Sequence, residues 1–251
     1  MLFQREGNAV KHLIEQAINV KVSSVQGPVR YRTPLIGYAD ADDPVFNNLK
    51  QVAHQGHLLP RDLLPQARTV IAFFLPFDLE LVRINRRHSY VSREWVQAYV
   101  YTNALISEIC RDIAAIMAEQ RFEAIYDQPT HNFDEEELLS PWSHKHVAFA
   151  CGLGSFGTNT MLITERGCAG RFGSLVTDAE IRPVSSKKEL FHPKCENCTY
   201  CIRVCPASAL NERGLEKAAC YRYLLEVNDF YNDLPLSDAC GKCANGPCAI
   251  L

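Results

Sequence analysis

Eight of the chain's 11 cysteines fall in residues 195–248, and no other feature restricts the fold so severely. Cys195, Cys198, Cys201 and Cys205, followed at once by Pro206, make the run C-x2-C-x2-C-x3-C-P. Thiolates at intervals of three wrap one face of a compact inorganic core, whereas the fourth, turned away by the proline, reaches a neighbouring core. A second set of ligands is therefore required, and Cys220, Cys240, Cys243 and Cys248 supply it. The order assigns Cys195, Cys198, Cys201 and Cys248 to one site and Cys205, Cys220, Cys240 and Cys243 to the other. Cys248 departs furthest from the pattern, because the second set closes as C-x4-C with Pro247 before the last cysteine rather than after it.

This spacing is the one with which bacterial ferredoxins hold a pair of 4Fe-4S cubanes. The competing reading is structural zinc, since paired C-x2-C elements also build tetrahedral thiolate sites, but a zinc ribbon has no use for a third cysteine three residues on. Disulfides need an oxidising compartment. The N-terminal stretch MLFQREGNAVKHLIEQ carries charges where a signal peptide has its apolar segment, so a reducing cytoplasm is expected. No apolar run approaches the roughly 20 residues of a membrane span. With 26 basic and 29 acidic residues, the net charge of −3 offers no overall attraction for nucleic acid. A chain of 251 residues accommodates a main domain with an appendage. The expected division is 1–185 and 186–251, the second part needing little core of its own because metal organises it.

In the first part, Val10, Leu13, Ile14, Ala17 and Ile18 recur at helical intervals and predict an amphipathic helix over residues 8–20. Residues 23–44 are rich in turn signals, and Asp40, Asp42 and Asp43 lack any calcium-loop spacing, so they read as a solvated loop. A short helix is expected over 47–55. The apolar run TVIAFFLPF at 69–77 reads as a strand covered on both faces. Val96, Val100, Leu105, Ile106, Ile109, Ile113 and Ile116 then predict a long helix over 92–120, with Cys110 as inert core. After the acidic group 134–137 and Pro141, a loop passes into a helix carrying His144 and His146, which cannot share one helix face as a metal pair.

Residues 151–160, CGLGSFGTNT, satisfy G-x-G-x-x-G literally, with Asp178 about 20 residues on. The context is wrong for a dinucleotide, because the residues after the glycines are β-branched and glycine-broken rather than a helix start. A strand, a loop and another strand are expected instead. Glycines at this density let backbone approach a flat or bulky partner closely. The flanking Cys151 and Cys168 read as buried packing.

The order AFACGLGSFGTNTMLITERG, GSLVTD, the C-x2-C-x2-C-x3-C-P run and the later Cys220, Cys240, Cys243 and Cys248 resembles the epoxyqueuosine reductase family and, in plan, the reductive dehalogenases. The likeness covers residues 141–248, with a fainter echo at LLPQARTVIAFF, residues 63–74. It implies an α/β fold of the nitroreductase-like α+β kind that binds a cobalamin, fused to a small ferredoxin-like domain with two 4Fe-4S clusters. The corrin would lie against Gly152, Gly154, Ser155, Phe156, Gly157, Thr158, Asn159 and Thr160.

Three departures qualify the transfer. The family's proton-donating aspartate stands three residues before the proline that corresponds to Pro141, and Leu138 occupies that place here. The lysine of the glycine segment is replaced by Thr158. The chain ends at Leu251, so the helical-repeat domain of many tRNA-modifying members is expected to be absent. By residue type and neighbourhood, Glu135, His144 and Tyr101 are the candidate proton donors, with Tyr99 and His146 beside them.

The expected function is a cytoplasmic iron-sulfur and corrinoid redox protein. A low-potential donor, ferredoxin or flavodoxin, would feed one cluster, that cluster the other, and the second the cobalamin. Its use would be to reactivate the corrinoid of a partner protein or to reduce a small substrate. The missing aspartate favours the first, and charge argues against tRNA. The alternatives are an epoxyqueuosine reductase acting on tRNA and a ferredoxin-type electron carrier without corrinoid.

Overall fold

The structure is a computed structural model, and it describes residues 2–183 and 189–251. The expected domain boundary at 185–186 lies outside the described residues. The chain runs α1 (Leu2–Ser23), β1 (Leu35–Asp40), α2 (Val45–Val52), α3 (Pro60–Leu63), β2 (Thr69–Pro76), α4 (Leu79–Arg87), α5 (Arg93–Glu119), β3 (Ala124–Tyr126) and α6 (His144–Ala150). It continues with β4 (Gly154–Phe156), β5 (Leu162–Thr164), β6 (Gly170–Thr177), α7 (Tyr200–Arg203), β7 (Leu210–Asn211), β8 (Gly214–Leu215) and α8 (Lys217–Phe230).

β2 is the axis of a four-stranded antiparallel sheet of order β1-β2-β6-β3, and all eight of its residues are buried. The pleat divides them. Ile71, Phe73 and Leu75 meet Val10, Ile14, Ile18 and Val22 of α1 and Ile106, Ile109 and Ile113 of α5. Val70, Ala72 and Phe74 meet Phe46 and Leu49 of α2 and Trp142, Val147 and Ala148 on the other side. A continuous apolar run therefore marks two covered faces, here in an antiparallel sheet with a helical layer on each side. The first helix outruns the expected 8–20. Its buried stripe is Val10, Ile14, Ile18 and Val22, and Leu13, expected inside, is 37% exposed. α5 opens at Ser92, whose hydroxyl accepts from the Trp95 amide at 3.3 Å. Residues 35–40, expected in a turn-rich loop, instead form β1 and end at Asp40; in the solvated turn that follows, Asp42 holds Arg61 through two bonds of 2.7 Å.

Apart from α8, the cysteine-rich part is built of short elements, and it does not stand apart. Val227, Tyr231, Ala239 and Ala249 share one apolar cluster with Phe77, Val82, Trp95 and Val96. Asn85 ties the same join together, donating to the Cys240 carbonyl at 3.0 Å and accepting from the Ser92 amide at 2.9 Å. Among the described residues, no helix is long and apolar enough to cross a membrane.

Candidate functional site

The glycine segment, read from sequence as one binding surface, is a partition between three cavities. Gly154–Phe156 forms β4, paired with Leu162–Thr164 in β5. Gly152, Gly154 and Ser155 face a cavity of about 510 Å³ shared with Gly37, Tyr38 and Glu165. Thr158 and Asn159 face one of about 170 Å³ lined by Cys195, Cys198, Cys201, Cys243 and Cys248. Phe156, Gly157 and Thr160 face a third, of about 540 Å³, with Leu138, Lys145, His146, Phe191 and Lys217 around it.

Gly157 is the thinnest point of this partition. It lines the third cavity, and a Cβ added to it would stand 3.3 Å from Cys195 Sγ and 2.8 Å from both Asn159 Oδ1 and Ile163 Cδ1. Cysteine-lined cavity and large cavity are thus separated there by one thickness of backbone.

The smaller cavity gathers the first predicted cysteine set together with Cys243 of the second. His192 caps the short turn Pro193–Cys195 by accepting from the Lys194 amide at 3.3 Å, and the Cys198 amide bonds the Cys195 carbonyl at 3.1 Å. Cys201 lies on α7. Cys248 is brought from far along the chain by backbone pairing with Cys168, whose amide donates to the Cys248 carbonyl at 2.9 Å. The Cys168 thiol beside it pulls Cys248 down to about 7. In the second set the thiols of Cys220, Cys240 and Cys243 are raised. Burial, reinforced by Cys220 and Cys205, pushes the Cys240 thiol up to about 12, and Cys243 rises for the same reasons, beside Cys240 and Cys220. Burial and then Cys205 raise Cys220. Thiols crowded like this repel as anions and deprotonate only against a positive core. Among the described residues, no three His, Cys, Asp or Glu side chains converge tightly enough to grip a single ion. Asn245, between Cys243 and Cys248 in the chain and 1% exposed, has neither amide atom bonded within the protein. A buried amide in that condition costs free energy unless a further group accepts from it.

The large cavity is apolar with a few polar groups. Lys145 donates to the Thr160 carbonyl at 2.9 Å, and burial, with the Lys217 ammonium nearby, pulls it down to about 8. Lys217 donates to the Leu138 carbonyl at 3.3 Å. His146 lies 4.8 Å from the Phe156 ring and pairs through Nδ1 with Ser143 Oγ at 2.8 Å. Burial, then the neighbouring Lys145, pulls it down to about 3, so it is neutral at physiological pH.

The other candidate proton donors stand elsewhere. Both nitrogens of His144 are engaged, Nδ1 with Ser174 Oγ at 2.8 Å and Nε2 with the Gln128 carbonyl at 2.9 Å. Tyr101 is 50% exposed on α5, and Tyr99 bonds Thr130 at 2.8 Å beneath the Arg171 guanidinium. Glu135 is exposed, and Asp134 accepts from the amides of Glu136 and Glu137, so the loop spends its acid on its own turn. Leu138 alone of that loop's 134–138 stretch lines the large cavity, held at a positive φ of 53°. Lys145 and Lys217 carry no sequence signature of a site. Lys145 sits between His144 and His146, and nothing local marks it as lining a cavity.

No family model matches the chain. The epoxyqueuosine reductase of Bacillus cereus is 27% identical over 180 residues, which are 68% of this chain and 43% of that protein. The chain thus spans less than half the length of the curated relatives it matches. Among solved structures, a selenomethionine-labelled epoxyqueuosine reductase superposes with a TM-score of 0.58 at 19% identity, covering 95% of this chain and 66% of that one. An epoxyqueuosine reductase bound to an epoxyqueuosine-modified tRNA-Tyr stem loop gives 0.54 at 19% identity, covering 86% and 57%. A catabolic reductive dehalogenase gives 0.51 at 15% identity, covering 75% and 27%.

Two expectations are corrected by these likenesses. The preference for reactivating a partner corrinoid protein or reducing a small substrate gives way, because the curated relatives are epoxyqueuosine reductases. The exclusion of tRNA gives way as well, because a protein of this fold was solved with its tRNA stem loop. A net charge of −3 is a sum over the whole chain, whereas a nucleic acid meets only the local field at its docking face. In sequence the chain is similar to epoxyqueuosine reductases, and its fold resembles theirs.

Proposed function

We propose that this chain is a reductase of epoxyqueuosine in tRNA, working with two 4Fe-4S clusters and a corrinoid. The observation that carries the proposal is the wall at Gly157, where a five-cysteine cavity of about 170 Å³ and a cavity of about 540 Å³ stand back to back. Cys195, Cys198, Cys201 and Cys248 would hold one cluster, and Cys205, Cys220, Cys240 and Cys243 the other. A cavity ringed by thiolates suits a multi-atom core better than a single ion, and the raised thiols and the orphaned amide of Asn245 suit a buried positive core with sulfur acceptors. Residues 186–251 would then form the ferredoxin-like module, docked by its own apolar side chains onto the main fold.

The large cavity would take the corrin between Phe156, Gly157 and Thr160 on one side and Lys145 and His146 on the other. When bound, the corrinoid supplies a strongly reducing metal centre and the clusters supply its electrons. Opening an epoxide to an alkene consumes two electrons and two protons and releases water. The chain's own residues shape that chemistry. Neutral His146 and Phe156 exclude water, Gly157 keeps the wall thin, and Lys145 fixes the carbonyl of Thr160 and places a cation at the cavity edge. Leu138 puts an apolar side chain where the family carries its carboxylate, so the proton must come from another group at the mouth.

The test is anaerobic purification with iron and sulfide analysis, cobalamin titration and turnover of an epoxyqueuosine-containing tRNA stem loop under a strong chemical reductant. About eight irons per chain, corrinoid bands that survive gel filtration and formation of queuosine are expected. A protein that carries both cofactors yet leaves the stem loop unchanged would overturn the substrate. A protein without corrinoid bands would reduce the chain to an electron carrier.

A further inference from the structure

Three cysteines stand outside the two ligand sets, and they are not equivalent. Cys110 lies in the apolar cluster under the sheet, and Cys151 turns its thiol to the Val70 carbonyl at 3.6 Å. Cys168 is fully buried, and its Sγ is 3.7 Å from Cys248 Sγ. Backbone geometry holds the two together. The amides of Cys168 and Ala169 donate to the carbonyls of Cys248 and Ala249 at 2.9 and 3.2 Å. Gly167, at φ +83°, makes the approach possible, since any Cβ there would collide with the Ala249 carbonyl.

The thiol hydrogen has a restricted choice. Asn159 Nδ2 donates to Cys168 Sγ at 3.8 Å while bonding the Cys243 carbonyl at 3.0 Å, so one side of the sulfur is occupied. The remaining acceptors are the Ala244 carbonyl at 3.8 Å and Cys248 Sγ at 3.7 Å. A metal-bound thiolate carries negative charge and a carbonyl does not, so the hydrogen goes to sulfur once Cys248 is a ligand.

We infer that Cys168 is a positioning residue of the cluster site, donating its S–H to the Cys248 thiolate and thereby raising the reduction potential of the cluster held by Cys195, Cys198, Cys201 and Cys248. This rests on the ligand assignment proposed above. Hydrogen bonds to ligand sulfur favour the more negative, reduced state, which makes them a lever on cluster potential. Asn159 is the brace that aims the thiol, and it joins both cysteine sets through Cys243 and Cys168.

The experiment is a redox titration of anaerobically reconstituted protein followed by electron paramagnetic resonance, with iron content measured for each variant. Cys168→Ala is expected to lower the potential of one cluster and leave the other in place. Cys168→Ser keeps a donor of similar size and is expected to hold the potential near that of the parent. Selective loss of one cluster in the alanine variant but not in the serine variant supports the same role. The inference is overturned if Cys168→Ala titrates like the parent, if both clusters move together, or if the serine variant shifts or loses iron as much as the alanine variant. A parent protein without two reducible clusters would sink the ligand assignment itself, whereas two clusters with an indifferent Cys168→Ala would sink this inference alone.

Discussion

At Gly157 a single hydrogen atom in place of a methyl decides how close two cavities come. Gly157→Ala would press its methyl against Asn159, Ile163 and Cys195. The expected result is about 1–3 kcal/mol of destabilisation from overpacking, with weaker retention of both iron and corrinoid. Thermal unfolding, iron analysis and cobalamin titration read it, and a variant with parental values on all three would show that the wall has slack. His146 carries a pH signature. Its pKa falls from 6.5 to about 3 on folding, chiefly through burial, so between those values the unfolded chain binds the extra proton. Stability is therefore whole above pH 6.5 and is lost as pH falls toward 3, costing about 2 kcal/mol by pH 5. His146→Phe removes the titration, and its thermal midpoint should fall less steeply between pH 6.5 and 5. Equal slopes in parent and variant would contradict the burial of that ring.

At the scale of elements, α4 and α5 meet at a polar joint that reaches the cysteines. Asn85, fully buried, accepts from the Ser92 amide that opens α5 and donates to the carbonyl of Cys240. Asn85→Leu would strand both partners, at a cost of about 1–3 kcal/mol. The damage should be local as well as global, with the cluster proposed at Cys205, Cys220, Cys240 and Cys243 lost before its neighbour. Iron falling from about eight toward about four per chain, with one paramagnetic signal surviving, is the expected outcome. Simultaneous loss of both would place the joint's importance elsewhere. The same scale explains what patterning could foresee. β2 was legible because its apolar run is uninterrupted, and the long α5 because its stripe repeats at 3.6 residues. The glycine segment was legible as a close-approach surface only, since β4 owes its short pairing to β5 rather than to any period of its own.

For the whole molecule, the shared cluster of Phe77, Trp95, Val96, Val227, Tyr231 and Ala249 couples the cysteine-rich part to the main fold. Removing iron with a chelator should therefore lower the melting temperature of the entire chain in one cooperative transition, because the apolar contacts that dock the module belong to both parts. Calorimetry with two well-separated transitions, the upper one unmoved by the chelator, would argue instead for independent units.

The sequence by itself determined the cysteine spacing, the buried central strand and the helices that cover it, because residue spacing and hydrophobic period are properties of neighbouring residues. The family likeness also lay in short runs. Only the tertiary structure decided that the glycine segment separates three cavities, that Lys145 and Lys217 line the largest of them, that the acidic loop spends Asp134 on its own amides, and that Cys168 meets Cys248. Each of these depends on which distant segments pack together, and no local pattern of residues encodes the partner that a chain folds back to meet.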